Sequence, residues 1–359
     1  MQIIYPVNQK LMSNKAHDKL IFNTCYHIAL RGYKVILIIQ NTGATDEEIF
    51  RYYSLPVINN LKFLKIKVSA FKISWKFLYR LIVLLKIFIL AKKDKFSIVY
   101  VSELKLGALI VKFKKLLKIP VVYEFHNLKL LENNTLNEME KYIIKNADGV
   151  IVTTNSLMEK IKNNYGRINL IEKIPLAGFS FDVKEYQQKK FVSHWKVFYV
   201  GQLYYLQGVD ILIKAFNYLK EYPCSLHIIG GTELEIQELK KIANETPLNE
   251  RIIFHGYKKP FELYKILSEA DILVMPSRAE GRMPYVAHTK IYEYLSLGKP
   301  IIATDMESVQ EVLTDGINAV IVEPGNSEAL AKGIIKIILD PEFRQKISEN
   351  ALKESLNYT

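Results

Sequence analysis

The residues richest in chemistry lie between Asp271 and Asp305. An apolar run, Ile272–Met275, ends at Pro276 and Ser277 and opens into a polar loop carrying Arg278, Glu280, Gly281 and Arg282. A helical pattern starts near Thr289, and Gly298, Lys299 and Pro300 stop it before the next apolar run. A helix N-terminus at the carboxyl end of a parallel strand presents unpaired amides and the positive end of the helix dipole, so it suits a phosphate. Lys290 sits at that start, where its ammonium can meet a phosphate directly. Glu293 follows within the first turn or two, where the same dipole favours a carboxylate.

Other familiar constellations are missing from the chain. It has no P-loop, GxGxxG, GxSxG elbow, HExxH or EF-hand loop, and no Asp-x-Asp pair. The seven histidines are scattered. Cys25 and Cys224 are almost 200 residues apart, with no metal-ligand spacing, which fits a reducing cytosol. Phosphate chemistry here is therefore expected to use amides, helix ends and basic side chains, with no metal and no resident cofactor.

The elements that must position these groups form an α/β pattern. Short β-branched runs alternate with longer helical ones, as in βαβ units and parallel sheets. The first half reads as strands at 2–5, 34–39, 98–101, 121–123 and 149–152, and the second as strands at 195–200, 225–229, 251–254, 272–275, 300–303 and 319–322. Pro175–Lys190 is the best boundary, giving domains 1–180 and 181–359. The economical architecture is two Rossmann-like domains facing each other across a cleft, with ligands at the carboxyl ends of the strands.

Charge divides along the same boundary. The chain of 359 residues carries +12 overall, but residues 1–180 hold 28 basic and 13 acidic residues, and residues 181–359 hold 21 and 24. Between Lys62 and Lys118 there are 15 basic residues and two acidic ones, Asp94 and Glu103. A helix over 71–91 would gather Lys72, Lys76, Arg80 and Lys86 into a stripe of about 120° and leave a wide apolar face. Such a helix can lie in a bilayer interface, each Lys or Arg near anionic lipid contributing about 1 kcal/mol. No nucleic-acid-binding pattern accompanies the charge. The opening MQIIYPVNQK reads as a strand rather than a signal peptide, and no run reaches the roughly 18 uncharged apolar residues of a spanning helix. The expected location is the cytoplasm, peripheral on the inner face of the cell membrane.

The stretch from Ala270 to Asp305 resembles the carboxyl-domain signature of family 4 glycosyltransferases of the two-domain GT-B fold. Phe198–Phe216 resembles their glycine-turn segment and Arg251–Tyr257 their base-binding strand. VVYEFHN (Val121–Asn127), NADGVIVTT (Asn146–Thr154) and IPLAGFSFD (Ile174–Asp182) match amino-domain segments in order and spacing. The resemblance implies that Gly201 starts the turn beside the donor diphosphate. It further implies that Glu293 binds the ribose hydroxyls, that backbone at Thr289, Lys290 and Ile291 caps the phosphates, and that Tyr257 lies near the base. Glu280 would stand near the donor sugar, and His126 would face that sugar from the amino domain.

This chain departs from the family pattern at two places. Gln202 and Gln207 occupy positions where the family usually has Arg and Lys on the pyrophosphate, and Lys290, Arg278 or Arg282 is the candidate replacement. The family's two glutamates are usually separated by seven residues, but Glu280 and Glu293 are separated by twelve, so an insertion lengthens the loop or Tyr285 holds the first position. Ala351–Thr359 ends about where a helix crossing back to the amino domain would begin, so a truncated or unusually short protein with a looser hinge is expected.

The absence of a metal motif predicts a metal-independent transferase, and the resemblance implies a retaining one. It would move a sugar from a UDP- or GDP-linked donor to a lipid-linked saccharide or other glycan in cell-surface glycan synthesis, docked on an anionic membrane. Two alternatives are a degenerate GT-B protein that binds without turnover, and a GT-B epimerase or phosphorylase.

Overall fold

Short runs of Ile, Val and Leu without alternation are buried on both faces, which a parallel sheet covered by helices provides. The computed structural model describes residues 1–13, 16–67, 75–126, 134–166, 168–178 and 193–359. They form two compact units, Met1–Thr153 with Leu157–Ile174, and Thr154–Ser156 with Pro175–Thr359.

The first unit has seven strands: β1 Gln2–Pro6, β2 Lys34–Gln40, β3 Leu61–Ile66, β4 Ser97–Val101, β5 Val121–Phe125, β6 Gly149–Val152 and β7 Ile171–Lys173. They pair in parallel in the order β3-β2-β1-β4-β5-β6-β7. Alternate residues of one strand enter opposite cores: Ile36 and Ile38 pack with Val83 and Ile87, whereas Val35, Leu37 and Ile39 pack with Phe22 and Phe50. Two strands escaped the sequence reading. β3 (LKFLKI) interrupts its apolar residues with Lys62 and Lys65, and β7 is only Ile171, Glu172 and Lys173; both are sheet edges, where less burial is demanded.

The second unit has six strands: β8 Trp195–Val200, β9 Cys224–Ile229, β10 Ile252–Gly256, β11 Ile272–Met275, β12 Ile301–Thr304 and β13 Val320–Val322. Their order is β10-β9-β8-β11-β12-β13, again parallel. All six were legible in the sequence to within two residues. The strand order reverses beside β1 and β4 in one sheet and beside β8 and β11 in the other, the place where ligands bind in open α/β sheets. The expected α/β architecture of two Rossmann-like domains is therefore the observed one. Ala351–Ser355 close the helix Pro341–Ser355, and the Tyr358 carbonyl then accepts from the Gly178 amide at 2.8 Å.

The helix of the basic half spans Trp75–Lys93 and corrects the predicted face. Lys72 lies outside the described residues. Tyr79, Val83, Ile87 and Ala91 form the buried row, on the side where the basic stripe was placed. Lys76 and Lys86 are exposed, but Arg80 folds inward, its Nη2 3.6 Å from Glu103 Oε1. The opposite side shows Leu78, Leu81, Leu85 and Ile89 to solvent, between 39% and 57% exposed. The helix thus has two apolar faces, and the one carrying Tyr79, Val83, Ile87 and Ala91 joins the core with strand residues such as Ile36 and Ile38.

Candidate functional site

At the carboxyl end of β8 the chain turns at Gly201, and at the carboxyl end of β9 it turns at Gly230. An added Cβ on Gly230 would stand 2.0 Å from the Gly201 carbonyl oxygen, so only glycine lets these two turns touch. The segment after Gly201 then lies against the loop after β11: the Arg278 amide donates to the Leu206 carbonyl at 3.0 Å. The helix Thr289–Ser296 follows that loop, preceded by His288. His288 is buried, and its Nε2 lies 3.1 Å from the Met283 carbonyl; burial lowers its pKa to about 4, so it stays neutral and pins the loop.

Lys290, in the first turn of that helix, reaches back to the glycine turn. Its Nζ donates to Gln207 Oε1 at 2.6 Å and to the Tyr199 hydroxyl at 3.2 Å, and lies 4.4 Å from the Tyr199 ring centroid. An added Cβ on Gly201 would be 3.1 Å from this nitrogen. Burial lowers the Lys290 pKa to about 7, with the Glu293 carboxylate pulling it back upward. Gln207 is itself buried, and its Nε2 donates to the Tyr204 hydroxyl at 2.8 Å. Gln202 behaves differently: its side chain is exposed, and its carbonyl accepts from the Tyr199 hydroxyl. A lysine from the helix start therefore stands at the turn where the glutamines bring no charge.

The other candidates are placed as follows. Arg278 pairs with Asp210 at 2.5 Å, in the first turn of the helix Val209–Ala215, and its guanidinium lies 4.1 Å from the Tyr205 ring centroid, so its charge ties the loop after β11 to the segment after Gly201. Arg282 is exposed on the loop. Glu280 is exposed and accepts a 3.4 Å hydrogen bond from the Tyr205 hydroxyl, on the outer side of the Arg278 lock. Glu293 is half-buried one turn beyond Lys290, beside Ile291, which packs inward. Tyr257 follows β10, 41% exposed. Among the described residues, the buried Ser277 Oγ at the end of β11 has no hydrogen-bond partner. No group of three His, Cys, Asp or Glu among the described residues is arranged to hold a metal ion.

In the first unit, His126 follows β5 and sits two residues beyond Glu124, which puts both on one side of the strand. His126 Nε2 is 3.5 Å from Glu124 Oε2, an ion-pair distance that falls short of a hydrogen bond, and among the described residues this buried nitrogen has no hydrogen-bond partner. The buried carboxylate accepts from the Tyr5 hydroxyl at 3.4 Å and from Tyr100. Burial pushes the Glu124 carboxyl up, but His126, Tyr100 and His17 together outweigh it and leave it below the usual carboxylate range. Burial likewise pulls His126 down, and the attraction of Glu124 more than offsets this, so the imidazole holds its proton more firmly than usual. His17, in the first turn of the helix Ala16–Leu30 after β1, meets His126 edge to face at 5.6 Å between centroids. Sequence reading missed Glu124 and His17; the spacing Glu-x-His on a strand was the available signal for the first.

Comparison with known proteins fits this geometry. The family described as Glycosyl transferases group 1 matches residues 181–354, and Glycosyltransferase Family 4 matches residues 19–176. An uncharacterized glycosyltransferase of Methanocaldococcus jannaschii is 29% identical over 337 residues, covering 87% of this chain and 79% of its own. The capsular polysaccharide biosynthesis glycosyltransferase CapM of Staphylococcus aureus is 26% identical over 296 residues, covering 76% of each chain. The crystal structure of Anabaena HepE in complex with UDP and glucose has the same fold, with a TM-score of 0.76 at 18% identity over 100% of this chain and 95% of that one. With both Rossmann-like units and nearly the whole length matched, the chain belongs to the group 1 glycosyltransferases of GT-B fold.

Proposed function

We propose that this glycosyltransferase is a retaining, metal-independent enzyme that takes a sugar from a UDP- or GDP-linked donor and passes it to a lipid-linked saccharide in cell-surface glycan synthesis. The observation that carries the reading is Lys290 at the Gly201 turn, 2.6 Å from Gln207. As the bond between the anomeric carbon and the diphosphate oxygen breaks, negative charge grows on the departing diphosphate. The Lys290 ammonium and the amides at the start of Thr289–Ser296 are preorganised to meet that charge, and such terms usually dominate. The acceptor hydroxyl attacks the same face, its proton passes to the departing phosphate oxygen, and the new glycosidic bond keeps the anomeric configuration. No protein base is assigned. Glu293 holds the ribose, Tyr257 lies near the base, and His126 binds the sugar. HepE, solved with UDP and glucose, supports a nucleotide-sugar donor, and the name of CapM supports a glycan product.

Calorimetry tests the donor site. Wild-type protein binds UDP or GDP and Glu293→Ala loses about tenfold or more in affinity; unchanged affinity removes the ribose assignment. Failure to bind either nucleotide favours a degenerate fold. Product anomer determined by NMR and activity in excess EDTA test retention and metal independence.

The acceptor is proposed to be reached at the inner membrane face. Leu78, Leu81, Leu85 and Ile89 form an exposed apolar row, with Lys86, Lys92 and Lys93 also exposed on the helix. Apolar patches of this kind, rimmed by cations, mark membrane or protein contacts, and the surrounding charge favours anionic lipid. No helix among the described residues is long and apolar enough to cross a membrane.

A further inference from the structure

A carboxylate buried as deeply as Glu124 is costly unless well paired, and a glutamine of the same shape would accept the same hydroxyls without charge. The charged groups that hold it ionised are imidazoles, His126 and His17. Its other neighbours are the hydroxyls of Tyr5 and Tyr100 and the buried thiol of Cys25, whose own proton affinity burial and Glu124 both raise. Tyr123 lies on the same strand and is also influenced by Glu124. Among the described residues, these surroundings give the carboxylate imidazoles and hydroxyls rather than a permanent cation. The cluster stands where the order of the sheet reverses, beside the carboxyl ends of β1, β4 and β5.

We propose that Glu124 is the positioning residue of His126, engaging its Nε2–H so that Nδ1 is the nitrogen presented to the sugar of the donor. The inference rests on the reading of His126 as a donor-sugar ligand. A buried carboxylate behind an imidazole fixes its tautomer and orientation, and here the edge-to-face contact with His17 holds the ring from another side. With Nε2–H engaged by Glu124, the proton that comes and goes is on Nδ1. Below its pKa the imidazole donates from Nδ1 to a sugar hydroxyl; above it the same atom only accepts.

The test is an NMR titration of the imidazole C–H signals in full-length protein, with the His126 signal assigned by its loss in His126→Gln. Glu124→Gln weakens the proton affinity of His126 about tenfold or more. Tyr100→Phe strengthens it, because the carboxylate loses a competing hydrogen bond. An unchanged His126 titration in both variants, or shifts of the same sign, overturns the proposal. Should Glu124→Gln fail to fold, Glu124→Asp and Tyr100→Phe decide it by the same titration. Release of UDP from UDP-glucose supplies the functional arm. Glu124→Gln lowers kcat about tenfold or more with KM changed less than about threefold, and moves the alkaline limb of the pH profile to lower pH. Wild-type activity that survives His126→Gln sinks the sugar-ligand reading, while the titration still decides the pair.

Discussion

Lys290 Nζ lies 2.6 Å from Gln207 Oε1, so the glutamine that stands where a family cation is usual instead holds a cation supplied by another element. Gln207 comes from the segment after β8, and Lys290 from the helix Thr289–Ser296, 83 residues later. The electrostatic deficit predicted at the glycine turn is met by a side chain that the same stretch of sequence does not contain.

Donor binding should therefore take up a proton. The Lys290 pKa is about 7 in the free protein, and a diphosphate beside it favours the charged form. Calorimetry with UDP at pH 7.5 in buffers of different ionisation enthalpy is expected to show uptake of a fraction of a proton. Lys290→Met removes the uptake and weakens binding about tenfold or more. Gln207→Leu keeps the lysine but loosens it, with a smaller loss.

The same lysine gives the ligand-free protein an alkaline signature. Its folded pKa of about 7 lies below the unfolded value near 10.4. Between those values the unfolded chain binds the extra proton, so stability rises with pH from about 7 to about 10. Thermal melts of wild type and Lys290→Met in that window check the sign, the variant showing a flatter curve.

Acid acts on a second set of groups. His227 stacks on Phe198 with centroids 4.5 Å apart, and its Nδ1 lies 2.9 Å from His255 Nε2. Burial, then the neighbouring His255, lowers its pKa to about 4. The unfolded chain takes up this proton near pH 6.5, so the contribution of His227 is lost as pH falls from about 6.5 towards 4. His227→Phe keeps the stacking and is expected to show a smaller drop in Tm between those pH values.

Gly230→Ala is expected to destabilise the second unit by roughly 2–4 kcal/mol, since the Cβ would meet the Gly201 carbonyl at 2.0 Å and φ is +114°. Gly256→Ala provides the contrast. Its φ is +65° but nothing lies within 4 Å of an added Cβ, so a loss of about 1–2 kcal/mol is expected in denaturant titrations.

Paired Leu81→Glu and Leu85→Glu should leave Tm nearly unchanged, since both side chains are exposed, and should abolish flotation with anionic vesicles. Replacing Lys86, Lys92 and Lys93 with Gln should weaken flotation by about 1 kcal/mol per charge, and added salt should mimic it. Equal flotation of wild type and variants, or none by wild type, removes the membrane proposal.

The sequence by itself determined the two parallel sheets, because uninterrupted runs such as Ile272–Met275 and Ile301–Thr304 are soluble only when covered on both faces. It also marked the helix start at Thr289, since helix-start signals act over a few neighbouring residues, whereas the Gly201 turn came from the family resemblance. The edge strands β3 and β7 stayed hidden because their burial is set by a neighbour on one side only. Which side of Trp75–Lys93 faces the sheet was decided by packing, as both sides are apolar enough to be buried. The fates of the charged side chains were decided by tertiary structure for the same reason. Lys290 meets Gln207, and Arg278 meets Asp210, only once the elements that carry them are brought within reach, and Coulomb and hydrogen-bond energies depend on that distance rather than on spacing along the chain.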